Sequence, residues 1–66
     1  MPLTAEQWIN EGDNYYRAKR YEQALAAYEQ AIRLDPTNGA NYFYKSTALK
    51  ALKRYTEGVA ACDQGI

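Results

Sequence analysis

Sixty-six residues confine this chain to one small domain, or a piece of a larger one. A chain this short buries only about 60% of the surface its unfolded form exposes, so each packing contact weighs heavily. Eight lysines and arginines balance eight aspartates and glutamates, and no basic cluster exceeds Lys19-Arg20 or Lys53-Arg54. That argues against nucleic acid or an acidic membrane as a partner, and it removes a protection against self-association.

Taken in chain order, the first element is a helix. Thr4 stands as its N-cap, and Gln7 three residues later completes a capping box. Trp8, Gly12 and Tyr15, with Ile9 and Tyr16 beside them, recur at helical spacing through about Ala18. Lys19-Arg20 is a short polar break. Tyr21, Ala24, Leu25, Tyr28, Ala31 and Ile32 then draw an apolar stripe in steps of three and four. Pro36 ends this second helix, because proline offers no N–H and pushes the residue before it out of the helical region. Asn38 caps a third helix, roughly 40–52, and a fourth is predicted from Tyr55 to the chain end.

The second half repeats the first. At a shift of 34 residues Lys19, Arg20 and Tyr21 fall on Lys53, Arg54 and Tyr55, and Ala26, Ala27, Gln30 and Ile32 fall on Ala60, Ala61, Gln64 and Ile66. Trp8 falls on Tyr42 and Leu25 on Val59. A fixed period of this size marks stacked repeats, in which no single unit buries its own apolar face. Short turns force successive helices to lie antiparallel. Gly12, Ala24 and Ala31 are small where the partner helix comes close, and Ser46, Gly58 and Gly65 hold the same places in the second unit. The predicted fold is all-α, with four helices in antiparallel helix-turn-helix repeats stacked as a superhelix.

The 34 residues from Ala5 to Asn38 resemble a tetratricopeptide repeat, with Trp8, Gly12, Tyr15, Ala24, Tyr28, Ala31 and Pro36 at the signature spacing. Glu11 departs from the usual leucine. The stretch 39–66 is similar but truncated: Tyr42, Ser46, Leu49, Tyr55, Gly58, Cys62 and Gly65 hold the matching places, Lys45 replaces the leucine, and the closing leucine and proline are missing.

The resemblance implies protein–protein recognition, in which first helices line a groove for a peptide or a helix of a partner. Carried over position by position, the groove residues are Glu6, Ile9, Asp13, Tyr16 and Arg17, then Ala40, Phe43, Tyr44, Thr47 and Lys50. Members that grip a C-terminal carboxylate use lysine and asparagine at positions held here by Ile9, Asp13 and Tyr44. None matches, and Asp13 would repel a carboxylate. The alternative expectation is self-association. The unfinished last helix would then stack on, or exchange with, another copy through Val59, Cys62 and Ile66.

Further expectations concern charge and chemistry. Glu11 and Lys45 are predicted to pair between repeats, and Asp13–Arg17 and Glu29–Arg33 within helices. There is no histidine and no nucleophile beside a base, so an enzyme is not expected. The lone Cys62 excludes an internal disulfide, argues against a four-ligand zinc site and reads as core filler. No cofactor is expected. No apolar run is long enough for a signal peptide or a membrane span, which points to a soluble, cytoplasmic chain.

Overall fold

A computed structural model describes the backbone of residues 2–64 and the side chains of residues 2–56. Among the described residues there are three helices and no strand: α1 (Ala5–Arg17), α2 (Tyr21–Leu34) and α3 (Gly39–Gln64). The four-helix expectation is therefore corrected to three.

Helix α1 begins where its sequence says it should. The Thr4 side chain accepts from the Gln7 N–H at 3.1 Å, and the Gln7 side chain accepts from the Thr4 N–H at 2.8 Å. Two otherwise orphaned donors are thereby used. Its end is a Schellman turn. The Arg20 N–H reaches back to the Tyr15 carbonyl at 2.8 Å and the Lys19 N–H to the Tyr16 carbonyl at 3.0 Å. Lys19 takes the left-handed conformation, φ 62°, where glycine is the usual choice.

That strain is held by packing. Helix α2 folds back on α1, and Ala24, Ala27, Tyr28 and Ala31 become buried. A left-handed non-glycine residue costs about 1–2 kcal/mol, whereas burying one large side chain contributes about 1.5–3 kcal/mol. Tyr28 alone offsets the turn. Gly12 is essential to the fit, because a Cβ there would run into the Tyr28 ring.

Asp35 closes α2, and Pro36 follows. Asn38 accepts from the Ala40 N–H at 3.0 Å and starts α3 as an N-cap. From there α3 runs 26 residues without interruption. It passes straight through Lys53-Arg54, where the repeat register predicts a second turn. The residues around that point are good helix formers, so local propensity favours continuation. A returning fourth helix would carry Gly58 and Cys62 where α2 carries Ala24 and Tyr28. It would bury too little to offset a left-handed lysine. The extension draws the molecule out to 47 × 22 × 14 Å, with a radius of gyration of 13.5 Å. About 11 Å is expected for a compact domain of this length.

Helix α2 packs against both α1 and α3, which scarcely meet each other. The core is Ala24, Tyr28 and Ala48, with Ile9, Tyr15, Tyr16, Leu25 and Tyr44 packed around it. The Tyr28 and Tyr44 rings stack with centroids 5.5 Å apart, and Tyr21 meets its repeat counterpart Tyr55 edge-on at 6.3 Å. No described helix is long and apolar enough to cross a membrane.

Candidate functional site

With α2 behind them, α1 and α3 leave a furrow between their first turns. At one end it deepens into a cleft of about 400 Å³ lined by Ala5, Glu6, Ile9, Asp35, Asn38, Ala40, Asn41 and Tyr44. Ala5, Glu6 and Ile9 come from α1, Asp35 and Asn38 from the α2–α3 connection, and Ala40, Asn41 and Tyr44 from α3.

Of the predicted groove residues, Glu6, Ile9, Ala40 and Tyr44 line this cleft together. Ile9, Tyr16 and Tyr44 also pack on the core, so they serve the fold as well as any surface. Asp13, one turn after Ile9 on α1, accepts a hydrogen bond from the Tyr28 hydroxyl at 2.7 Å. Burial first, and that hydrogen bond second, push the Tyr28 phenol well above the ordinary tyrosine range. It therefore remains a neutral donor. Thr47 turns its hydroxyl back to the Phe43 carbonyl, 3.0 Å away. Phe43 is 70% exposed, leaning edge-on against Tyr44 with centroids 6.4 Å apart. Arg17 and Lys50 are exposed and not in the cleft.

The pairing expectations need correction. Lys45 pairs with Glu29 of α2 at 3.6 Å rather than with Glu11, and this is the single ion pair among the described residues. Helix α2 packs on α3 while α1 barely touches it, so the carboxylate within reach of Lys45 belongs to α2. Neither Asp13–Arg17 nor Glu29–Arg33 forms: Asp13 is taken by Tyr28 and Glu29 by Lys45. The self-association residues fall outside what is described: Val59 and Cys62 by their side chains, Ile66 altogether.

Sequence reasoning missed Asn41. It is 3% exposed, and its amide nitrogen has no hydrogen-bond partner. An orphaned buried amide costs about 1–3 kcal/mol. The signal was there in the pattern, since Asn41 stands three residues before Tyr44 and seven before Ala48, on the inward stripe of α3. Asp35 and Asn38 were read as helix punctuation, which they are, and their place on the cleft wall needed the fold.

A family model described as tetratricopeptide repeat matches residues 5–38. The chain is 36% identical over 59 residues to small glutamine-rich tetratricopeptide repeat-containing protein beta of Homo sapiens, covering 89% of this chain and 19% of that protein. It is 29% identical over 51 residues to the Hsp70-Hsp90 organising protein of Plasmodium falciparum (isolate 3D7), covering 77% and 9% respectively. Over 44 residues it is 41% identical to serine/threonine-protein phosphatase 5 of Homo sapiens, covering 67% and 9%. This chain therefore spans less than a fifth of the length of these relatives. No solved structure matches it.

Proposed function

Because the chain belongs to the tetratricopeptide repeat family, we propose that it is a protein–protein recognition module whose α1–α3 furrow takes an extended peptide or a helix of a partner. The observation that carries this reading is the meeting of Ile9 and Tyr44 in one cleft beside Asn41. A partly buried aliphatic and an aromatic, flanked by polar groups, is the composition of a binding anchor. Asp13, Tyr16, Arg17, Phe43, Thr47 and Lys50 extend the surface away from the cleft. The names of the relatives include an organiser of chaperones, but a chaperone-like C-terminal carboxylate suits this furrow poorly. Glu6, Asp13 and Asp35 would all repel it. No catalytic activity is carried over from the phosphatase, of which this chain spans 9%.

Selection from a displayed random peptide library tests the reading, with hits measured by fluorescence anisotropy. Peptides should be recovered, and Phe43→Ala and Tyr44→Ala should each weaken them by about fivefold or more, as hot-spot residues do. Failure to select any peptide on a chain shown by circular dichroism to be folded would overturn it.

The continuity of α3 favours a second reading, reciprocal helix exchange between two copies. Trp8, Gly12 and Tyr15 are covered or half-buried in the α1–α2 hairpin, whereas their counterparts Tyr42, Ser46 and Leu49 stand exposed on α3. The segment whose register fits that face is 55–66, with Val59, Cys62 and Ile66 at the positions of Leu25, Tyr28 and Ile32. A straight α3 carries residues 55–64 past that face, which leaves it open to the same segment of another copy. Light scattering of Lys53→Ala and Lys53→Gly distinguishes the arrangements. Alanine should hold the dimer, while glycine, at ease in a left-handed turn, should yield a monomer. A wild-type chain that is monomeric at every concentration would contradict exchange and leave peptide recognition standing.

A further inference from the structure

We propose that the cleft between the first turns of α1 and α3 receives a cationic side chain, arginine or lysine, from the bound segment, with Asn41 donating to the main-chain carbonyl beside it. This rests on the recognition reading above and names the chemistry of its partner.

Charge is the first argument. Glu6 and Asp35 line the cleft, and no lysine or arginine does. The positive ends of α1 and α3 also face it, each equivalent to about half a charge. They do not reverse the sign: two full carboxylates outweigh two half charges. The free N–H groups that would make those helix ends attractive to an anion are partly spent. Thr4 caps α1 by accepting from Gln7, and Asn38 caps α3 by accepting from Ala40.

The second argument is the unpartnered amide. Asn41 lines the cleft yet is 3% exposed, and its nitrogen donates to nothing. A buried donor without a partner is rare in folded proteins. The nitrogen is covered as it stands, so the amide turns toward the cleft to meet a ligand's acceptor, and the acceptor every peptide carries is its carbonyl oxygen. The third argument is shape. Ala5, Ile9 and Ala40 give an apolar wall for the methylene stem of a long cation, and Tyr44 beside them is an aromatic of the kind that attracts its charged head. Anionic rims, an apolar wall and one donor together describe a basic residue in an extended chain. They do not describe an acidic or a wholly apolar one.

The test is a titration of the ¹⁵N-labelled chain with two capped alanine/serine/leucine peptides, identical except that one carries arginine and the other the isosteric, uncharged citrulline. At low salt the arginine peptide should bind roughly tenfold tighter, a difference that fades as screening increases. It should also move the Asn41 side-chain amide resonances. Glu6→Gln with Asp35→Asn should abolish the difference between the peptides. Asn41→Leu should weaken both while raising the urea midpoint, which separates lost contact from lost fold. Equal affinity for arginine and citrulline, or no shift with the arginine peptide at millimolar concentration, overturns the proposal. A library that selects only peptides without a basic residue also overturns it and leaves the recognition reading intact. A library that selects nothing removes that reading itself.

Discussion

Gly12 is the residue on which the α1–α2 hairpin turns. The Tyr28 ring lies against it, and any Cβ would have to displace the ring. Gly12→Ala should destabilise the chain by about 1–3 kcal/mol despite alanine's better helix propensity, because overpacking outweighs the gain. Urea denaturation measures this, and an unchanged or higher midpoint would show that the ring moves freely. Gly12 was legible from the sequence as a small residue at a predicted close approach. The partner at that approach was not, since which ring covers it depends on the angle between helices.

Tyr28 also sets a pH dependence. Its folded pKa lies above the unfolded value, so the phenol's contribution is fully present below about pH 10, the ordinary tyrosine value. It is lost progressively as the pH rises above that. Tyr28→Phe should cost about 0.5–1.5 kcal/mol at neutral pH, the worth of its hydrogen bond to Asp13. The alkaline fall in stability should then become shallower. A parallel alkaline limb in wild type and variant would contradict the assignment. Asn41 argues in the other direction. Asn41→Leu should stabilise by about 1–3 kcal/mol, since it removes an orphaned amide. A residue that costs stability on the wall of a cleft fits the proposed binding role.

At the scale of elements, the ends of the helices were easier to read than their turns. The Thr4–Gln7 box, Pro36 and the Asn38 cap are local chemistry, and all three act as their residue types dictate. The two Lys-Arg breaks are near-identical in sequence and different in structure, because local propensity leaves both undecided. Packing decides: Tyr28 and Ala24 repay a left-handed Lys19, whereas nothing comparable stands after Lys53. Lys19→Gly should therefore raise stability by about 1 kcal/mol by relieving that conformation. Lys19→Pro should break the turn, because the Lys19 N–H is used.

The ion pair gives a second element-level test. Helix α2 places Glu29 against Lys45 at the surface. A double-mutant cycle on Glu29 and Lys45 at low salt should give a coupling of about 0.2–1 kcal/mol. The same cycle on Glu11 and Lys45 should give none. The reverse ordering would place α3 against α1 rather than α2.

For the molecule as a whole, the sequence was informative about class and misleading about extent. Its period announced stacked helical hairpins, and the family match over residues 5–38 accounts for the first of them. It predicted a turn at Lys53-Arg54 where α3 runs straight on, because helix continuation is decided by what the rod packs on. The furrow was half legible. Ile9 and Tyr44 follow from the family resemblance, while the acidic wall from Asp35 follows only from how the α2–α3 connection folds across its end.

Recognition through that furrow is the claim on which the functional account stands. The direct measurement is isotope-filtered nuclear Overhauser spectroscopy of the labelled chain with an unlabelled peptide chosen by library selection. Cross-peaks from the peptide to the Ile9 methyls, the Tyr44 ring and the Asn41 amide are predicted. Cross-peaks confined to the outer face of α2, around Ala26 and Gln30, would contradict it.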